Sequence, residues 1–143
     1  MKARILSTIV LFALVAGCEL QSQDSFDAKP FEVSYQISRN YQAAYADIVR
    51  GARKCWGAGP QITTLPQATQ LDAQLYPDLG YGEIYSYASG TVFMPQALVR
   101  VERSGNGAVV RVKTGPQGGA QTLFRGPPQN WANGVVECGS FRG

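Results

Sequence analysis

Apolar and polar residues change period along this chain, and each change marks an element. Over residues 31–38 the alternation is strict. Phe31, Val33, Tyr35 and Ile37 fall on one side, Glu32, Ser34, Gln36 and Ser38 on the other. A period of two predicts a strand with one buried and one wet face. The period then lengthens. Tyr41, Tyr45, Ile48, Ala52 and Cys55 recur at steps of four, three, four and three, which places them on one face of a helix. Ser38 or Asn40 offers its N-cap. Arg50, Arg53 and Lys54 crowd its last turns, where cations suit the helix dipole. Gly57 or Gly59 offers a stop.

Residues 57–80 are rich in Gly, Pro, Gln and Thr, with Pro60, Pro66 and Pro77 as breakers. They predict a long connection with one short helical turn around residues 67–75, and a connection of that length marks a candidate contact surface. Alternation returns at residues 82–88, with Tyr81, Glu83, Tyr85 and Tyr87 on one face and Ile84, Ser86 and Ala88 on the other. At strand period, Tyr85 and Tyr87 are expected to face the helix as core. A strand is expected to begin at residues 91–94, with Pro95 forcing an edge or bulge. Residues 96–114 then read as a hairpin. Centring its turn on Asn106-Gly107 sets Val101 opposite Val112 and Glu102 opposite Arg111, and avoids opposing Arg100 to Arg111. One more strand is expected at residues 120–125. Trp131, Val135 and Cys138 are spaced four and three, which predicts a short helix opened by Pro127-Pro128; Asn133-Gly134 keeps a strand from Val135 to Cys138 as the alternative. The sum is an α+β domain in the order β-α-β-β-β-(β)-α, an antiparallel sheet of four to five strands packed on one long and one short helix.

The N-terminus has another character. Lys2 and Arg4 precede an almost unbroken apolar run from Ile5 to Val15, 11 residues long. That is too short for a bilayer-spanning helix, which needs about 20 apolar residues, and it matches the core of a secretory signal peptide. The run ends in Val15-Ala16-Gly17-Cys18, which resembles a bacterial lipobox. The resemblance implies that residues 1–17 are removed and that Cys18 carries a diacylglycerol and an N-terminal acyl chain. Glu19, in place of the aspartate that retains enteric lipoproteins at the inner membrane, implies an outer-membrane anchor facing the periplasm. Residues 18–30, mostly polar and without period, then read as a flexible tether that reaches at most roughly 40 Å. Residues 31–143 form the single domain.

Removing residues 1–17 from a chain of 143 leaves 126 residues and lowers the basic count from 13 to 11 against 10 acidic residues. The mature formal charge is thus +1 rather than +3. With no basic stripe interleaved with aromatics, no nucleic-acid partner is expected. Cys55 and Cys138 remain as a pair in a chain bound for an oxidising compartment, which predicts a disulfide between them. The element order over residues 31–140 also resembles the helix-grip units of small outer-membrane lipoproteins. The resemblance implies an accessory or scaffolding role and assigns no binding residue.

The chain holds no histidine, so the commonest general base and the commonest neutral metal ligand are missing. Asp72, Asp78 and Glu83 are the remaining acid/base candidates, but nothing in their spacing demands a catalytic pair, and solvated loop carboxylates are the expected reading. Asp24 and Asp27 sit on the expected tether and are not expected to be held in a catalytic geometry. No enzyme, no cofactor and no metal is expected. Tyr76 and Tyr81, near the long connection, are the candidate partner-binding residues, since tyrosine joins rigid apolar area to a polar tip. A lipid-anchored accessory protein that binds an envelope protein is the first reading; a small-ligand-binding or enzyme-inhibitor lipoprotein is the alternative. The lipobox yields a direct test. Intact mass of membrane-extracted protein should show loss of residues 1–17 and added acyl mass on Cys18, and Cys18→Ser should release the protein, because anchoring rests on the acyl chains.

Overall fold

A sheet with one valine-rich face and one face of tyrosines and charges organises the chain. The computed structural model describes residues 23–56, 68–89, 94–115 and 127–138. Its elements are α1 (Gln23–Ala28), β1 (Val33–Ile37), α2 (Tyr41–Cys55), β2 (Ala68–Tyr76), β3 (Tyr81–Ser89), β4 (Met94–Ser104), β5 (Gly107–Thr114) and α3 (Pro127–Ala132). The five strands are antiparallel in the order β1-β5-β4-β3-β2. The domain is therefore α+β, as its periodicities predict. The chain runs along one edge as β1, crosses the sheet as α2, and returns through the meander β2 to β5.

One sheet face is buried under α2 and α3. Ile84, Ala97, Val99, Val101, Ala108, Val110 and Val112 pack against Tyr41, Ala44, Ile48 and Ala52 of α2 and against Trp131 and Ala132 of α3. Burying a side chain such as Ile48 contributes about 1.5–3 kcal/mol. The Asn40 side chain caps α2 by accepting from the Gln42 N–H at 2.9 Å. Asp47 is buried on α2, and its two oxygens are held by Arg39 at 2.6 Å and Arg50 at 2.9 Å. Trp131 is fully buried. Its indole stands 5.2 Å from Trp56 and lies where a Cβ on Gly51 would fall. Cys55 and Cys138 form a disulfide with Cα atoms 5.3 Å apart, which ties the end of α2 to the segment after α3.

Four expectations are corrected. First, residues 67–75 are not a connection with a helical turn but lie mostly within β2, paired to β3 from end to end. Leu71, Ala73 and Leu75 pack on the core, while Gln70, Asp72 and Gln74 are exposed. Second, the hairpin register is shifted by two residues. Val101 opposes Val110, Glu102 opposes Val109, Arg100 opposes Arg111, and Ser104 opposes Gly107. The turn is centred on Gly105-Asn106, where Gly105 takes φ +57° and Asn106 does not, the glycine-first pattern of a type II′ loop. Gly107 serves the sheet instead: a Cβ there would meet the Ile37 carbonyl of β1. The opposed arginines are accommodated by neighbours, since Arg100 pairs with Glu83 at 2.9 Å and Arg111 with Glu102 at 3.3 Å. Third, the second half of the expected tether is α1, with Phe26 fully buried. Fourth, α3 stops at Ala132 and Val135 is half exposed, so Trp131, Val135 and Cys138 share no buried stripe. Pro95 does mark a bulge, between β3 and β4. The expected strand at 120–125 and the start of the one at 91–94 lie outside the described residues.

Gly51 makes the packing testable. Helix propensity alone favours alanine over glycine by up to about 1 kcal/mol. Contact with the Trp131 ring should reverse the sign: Gly51→Ala should lose about 1–3 kcal/mol by overpacking, read as a lower urea midpoint in equilibrium unfolding.

Candidate functional site

The other sheet face is built from the alternate residues of the same strands: Tyr76 on β2, Glu83, Tyr85 and Tyr87 on β3, Leu98 and Arg100 on β4, Lys113 on β5. These residues, with Phe31 before β1 and Asp27 on α1, line a groove of about 550 Å³. β2 supplies Asp72 and Gln74 to its outer wall, and α1 forms the opposite wall. Tyr85 and Tyr87 thus turn away from α2 and are half-buried floor of this groove, contrary to the expectation that they are core; the even period of β3 commits them to the face opposite Ile84. Their rings are 5.9 Å apart. Phe31 likewise leaves the alternation of β1, which begins only at Val33, and its ring lies under Arg100 and Lys113.

Lys113 places the inner wall. It is buried on the outer face, and its ammonium donates to the carbonyls of Phe26 at 2.9 Å, Asp27 at 2.8 Å and Lys29 at 3.2 Å. Those carbonyls lie at the end of α1, where helical partners run out. The same ammonium sits 5.0 Å from the Phe26 ring, a cation–π contact. Burial pushes the Lys113 pKa below the ordinary lysine value, while Asp27 and Glu83 pull it the other way. Phe26 in turn meets the Tyr85 ring edge-on at 5.6 Å. One apolar residue and one cation thus hold a six-residue helix that propensity alone would not sustain.

The expected site residues distribute as follows. Tyr76 and Tyr81 face each other across the β2–β3 hairpin with rings 4.9 Å apart. Tyr76 lines the groove; Tyr81 flanks it beneath the Arg100 guanidinium, 4.6 Å away. Asp72 and Glu83 come together in the groove, while Asp78 lies in a separate depression with Leu79 and Arg103. Asp27, expected on a flexible tether, is fixed on α1 as part of the wall. Cys18 lies outside the described residues. Phe31, Leu98, Arg100 and Lys113 were not candidates. Their signal was present: Phe26 and Phe31 interrupt an otherwise polar segment, and Leu98 sits at an outward-facing position of β4.

Glu83 is committed to Arg100 at 2.9 Å, and Asp72 accepts from the Gln74 amide at 3.2 Å. What the groove offers is ring surface, hydrogen-bonding groups and fixed charge. Comparison with protein-family models, with curated proteins and with solved structures finds no match to this chain, so the site is read from its chemistry.

Tyr85 reports the groove's environment. Burial first, and the Asp27 charge second, push its pKa from 10.0 up to about 12. The folded chain therefore holds this proton after the unfolded chain has released it. This group should lower stability as pH rises from 10.0 toward about 12. Burial raises the Tyr45 pKa as well, so ultraviolet titration should show late phenolates among the seven tyrosines, and Tyr85→Phe should reduce the amplitude of the latest phase.

Proposed function

We propose that this chain is a lipid-anchored protein of the bacterial envelope that holds a protein partner on the outer face of its sheet, as an accessory or scaffolding module without catalysis of its own. The observation that carries the reading is the groove. It is an open, mixed surface of half-buried tyrosines and charged side chains, with edge strand β2 as one wall. An enclosed apolar cavity is what a small ligand requires, and aromatic anchors rimmed by polar groups are what a protein interface requires. The lipobox at Cys18 supports the location. Its distance in sequence from α1 is five residues, so an anchored Cys18 keeps α1 and the groove within roughly 20 Å of the point of attachment. The resemblance to helix-grip lipoproteins supports the same reading by analogy alone.

In-cell photocrosslinking tests it. A crosslinking residue at Gln74 or Tyr87, in the groove, should capture one defined envelope protein. The same residue at Arg50 or Gln129, both exposed on the helical side, should not. Tyr76→Ala with Tyr81→Ala should leave the unfolding midpoint nearly unchanged, since both rings are only partly buried, and should weaken that capture. Capture only from the helical side, or unaltered capture in the folded double variant, would place the partner elsewhere.

A further inference from the structure

The groove's charges are not equally available, and their accounting indicates what binds there. An ammonium has three N–H donors. All three of Lys113 are spent on the carbonyls of Phe26, Asp27 and Lys29, and its side chain is buried. Arg100 donates from Nε to Glu83 at 2.9 Å, has Nη1 3.8 Å from Glu102, and lays its guanidinium over Tyr81. The Lys113 ammonium therefore has no donor left, and the Arg100 charge is balanced by Glu83 with Glu102 beside it, so neither cation of the groove is an unmatched charge. The carboxylates divide differently. Glu83 belongs to Arg100. Asp27 and Asp72 are exposed and, among the described residues, neither has a cation within salt-bridge distance. Asp27 acts on Lys113 only through space.

These two carboxylates stand on opposite walls. Asp27 is on α1, and Asp72 is on β2 directly across from Tyr85. Tyr85, Tyr87 and Tyr76 form the surface between them. An aromatic floor flanked by carboxylates attracts a cation twice, by charge and by the ring quadrupole. The fold already uses that chemistry on this face, where Lys113 lies over Phe26 and Phe31 and Arg100 over Tyr81.

We infer that the groove receives a basic side chain, lysine or arginine, carried on a segment of the partner protein, with its charged head between Asp27 and Asp72 and its alkyl stem on the tyrosines. The inference rests on the partner-binding reading above and names the chemistry by which that partner is recognised.

The test uses the protein purified as it occurs in cells and a short fluorescein-labelled lysine peptide capped at both ends. Fluorescence anisotropy should show binding that weakens as salt is raised. The same peptide with acetylated side chains should not bind. Asp27→Asn together with Asp72→Asn should weaken binding about tenfold, near 1.4 kcal/mol. Asp78→Asn, outside the groove, should leave it unchanged. Equal binding by the double variant, equal binding of the acetylated peptide, equal loss in Asp78→Asn, or tighter binding of a glutamate peptide would each overturn the inference. Its failure is separable from that of the broader reading. Crosslinking from Gln74 that persists undiminished in the Asp27→Asn/Asp72→Asn protein would overturn the basic-segment inference and leave the partner surface standing. Absence of any crosslink from the groove would remove the surface itself, whatever the peptide does.

Discussion

Everything in this molecule depends on covering one face of the sheet. Val99, Val101, Val110 and Val112, with Ile84 beside them, present an apolar surface that water cannot be left to solvate. Among the described residues α2 crosses it along its length, and the helix is made to approach closely. Small residues, Ala44, Gly51 and Ala52, recur on its buried side, and the space Gly51 leaves is filled by Trp131. The indole thereby joins α3 to α2, and its N–H is satisfied by the Glu137 carbonyl at 2.8 Å. The Cys55–Cys138 bridge closes a separation of 83 residues around this contact. A cross-link of that kind typically contributes about 2–4 kcal/mol, much of it by restricting the unfolded chain.

The opposite face answers a different constraint. It carries too much ring surface to be wholly wet and too much charge to be wholly dry. The compromise is partial cover by α1, with Phe26 against Tyr85 and the Lys113 ammonium plugged into the helix's last carbonyls. Burying an ammonium is costly unless its donors are all met, and here they are. A ladder of alternating charge runs beside it, Glu83 to Arg100 to Glu102 to Arg111, which fixes the long side chains and leaves the tyrosines open between β2 and α1. The functional reading follows from this asymmetry. One face is finished as core, while the other is half finished and keeps unmatched carboxylates at its rim.

The conflict over the hairpin shows which forces ranked highest. Judged by charge pairs alone, Glu102 belongs opposite Arg111. Exposed ion pairs contribute little, about 0–1 kcal/mol, and a diagonal neighbour supplies nearly the same attraction, as the Glu102–Arg111 separation of 3.3 Å shows. The turn's need for a positive φ at Gly105 and the close approach of β1 to Gly107 are less negotiable. The register therefore follows backbone geometry. A shift of two preserves the faces, so the core is the same in either alignment.

Local pattern alone determined the elements whose period is uninterrupted: β1, α2, β3 and the two arms of the β4–β5 hairpin. It also marked Cys55 and Cys138 as a pair, which the structure joins. It had the strand β2 within reach too. Leu71, Ala73 and Leu75 alternate with Gln70, Asp72 and Gln74, yet the surrounding Gln and Pro residues resemble a connection, and an edge strand buries too little for its apolar period to stand out. What only the tertiary structure decided was the second face. A six-residue polar stretch acquires a helix only because Lys113, some 85 residues away, meets its carbonyls and Tyr85 meets Phe26. The groove exists where these distant segments meet, and no local pattern encodes a contact whose partners are far apart in the chain.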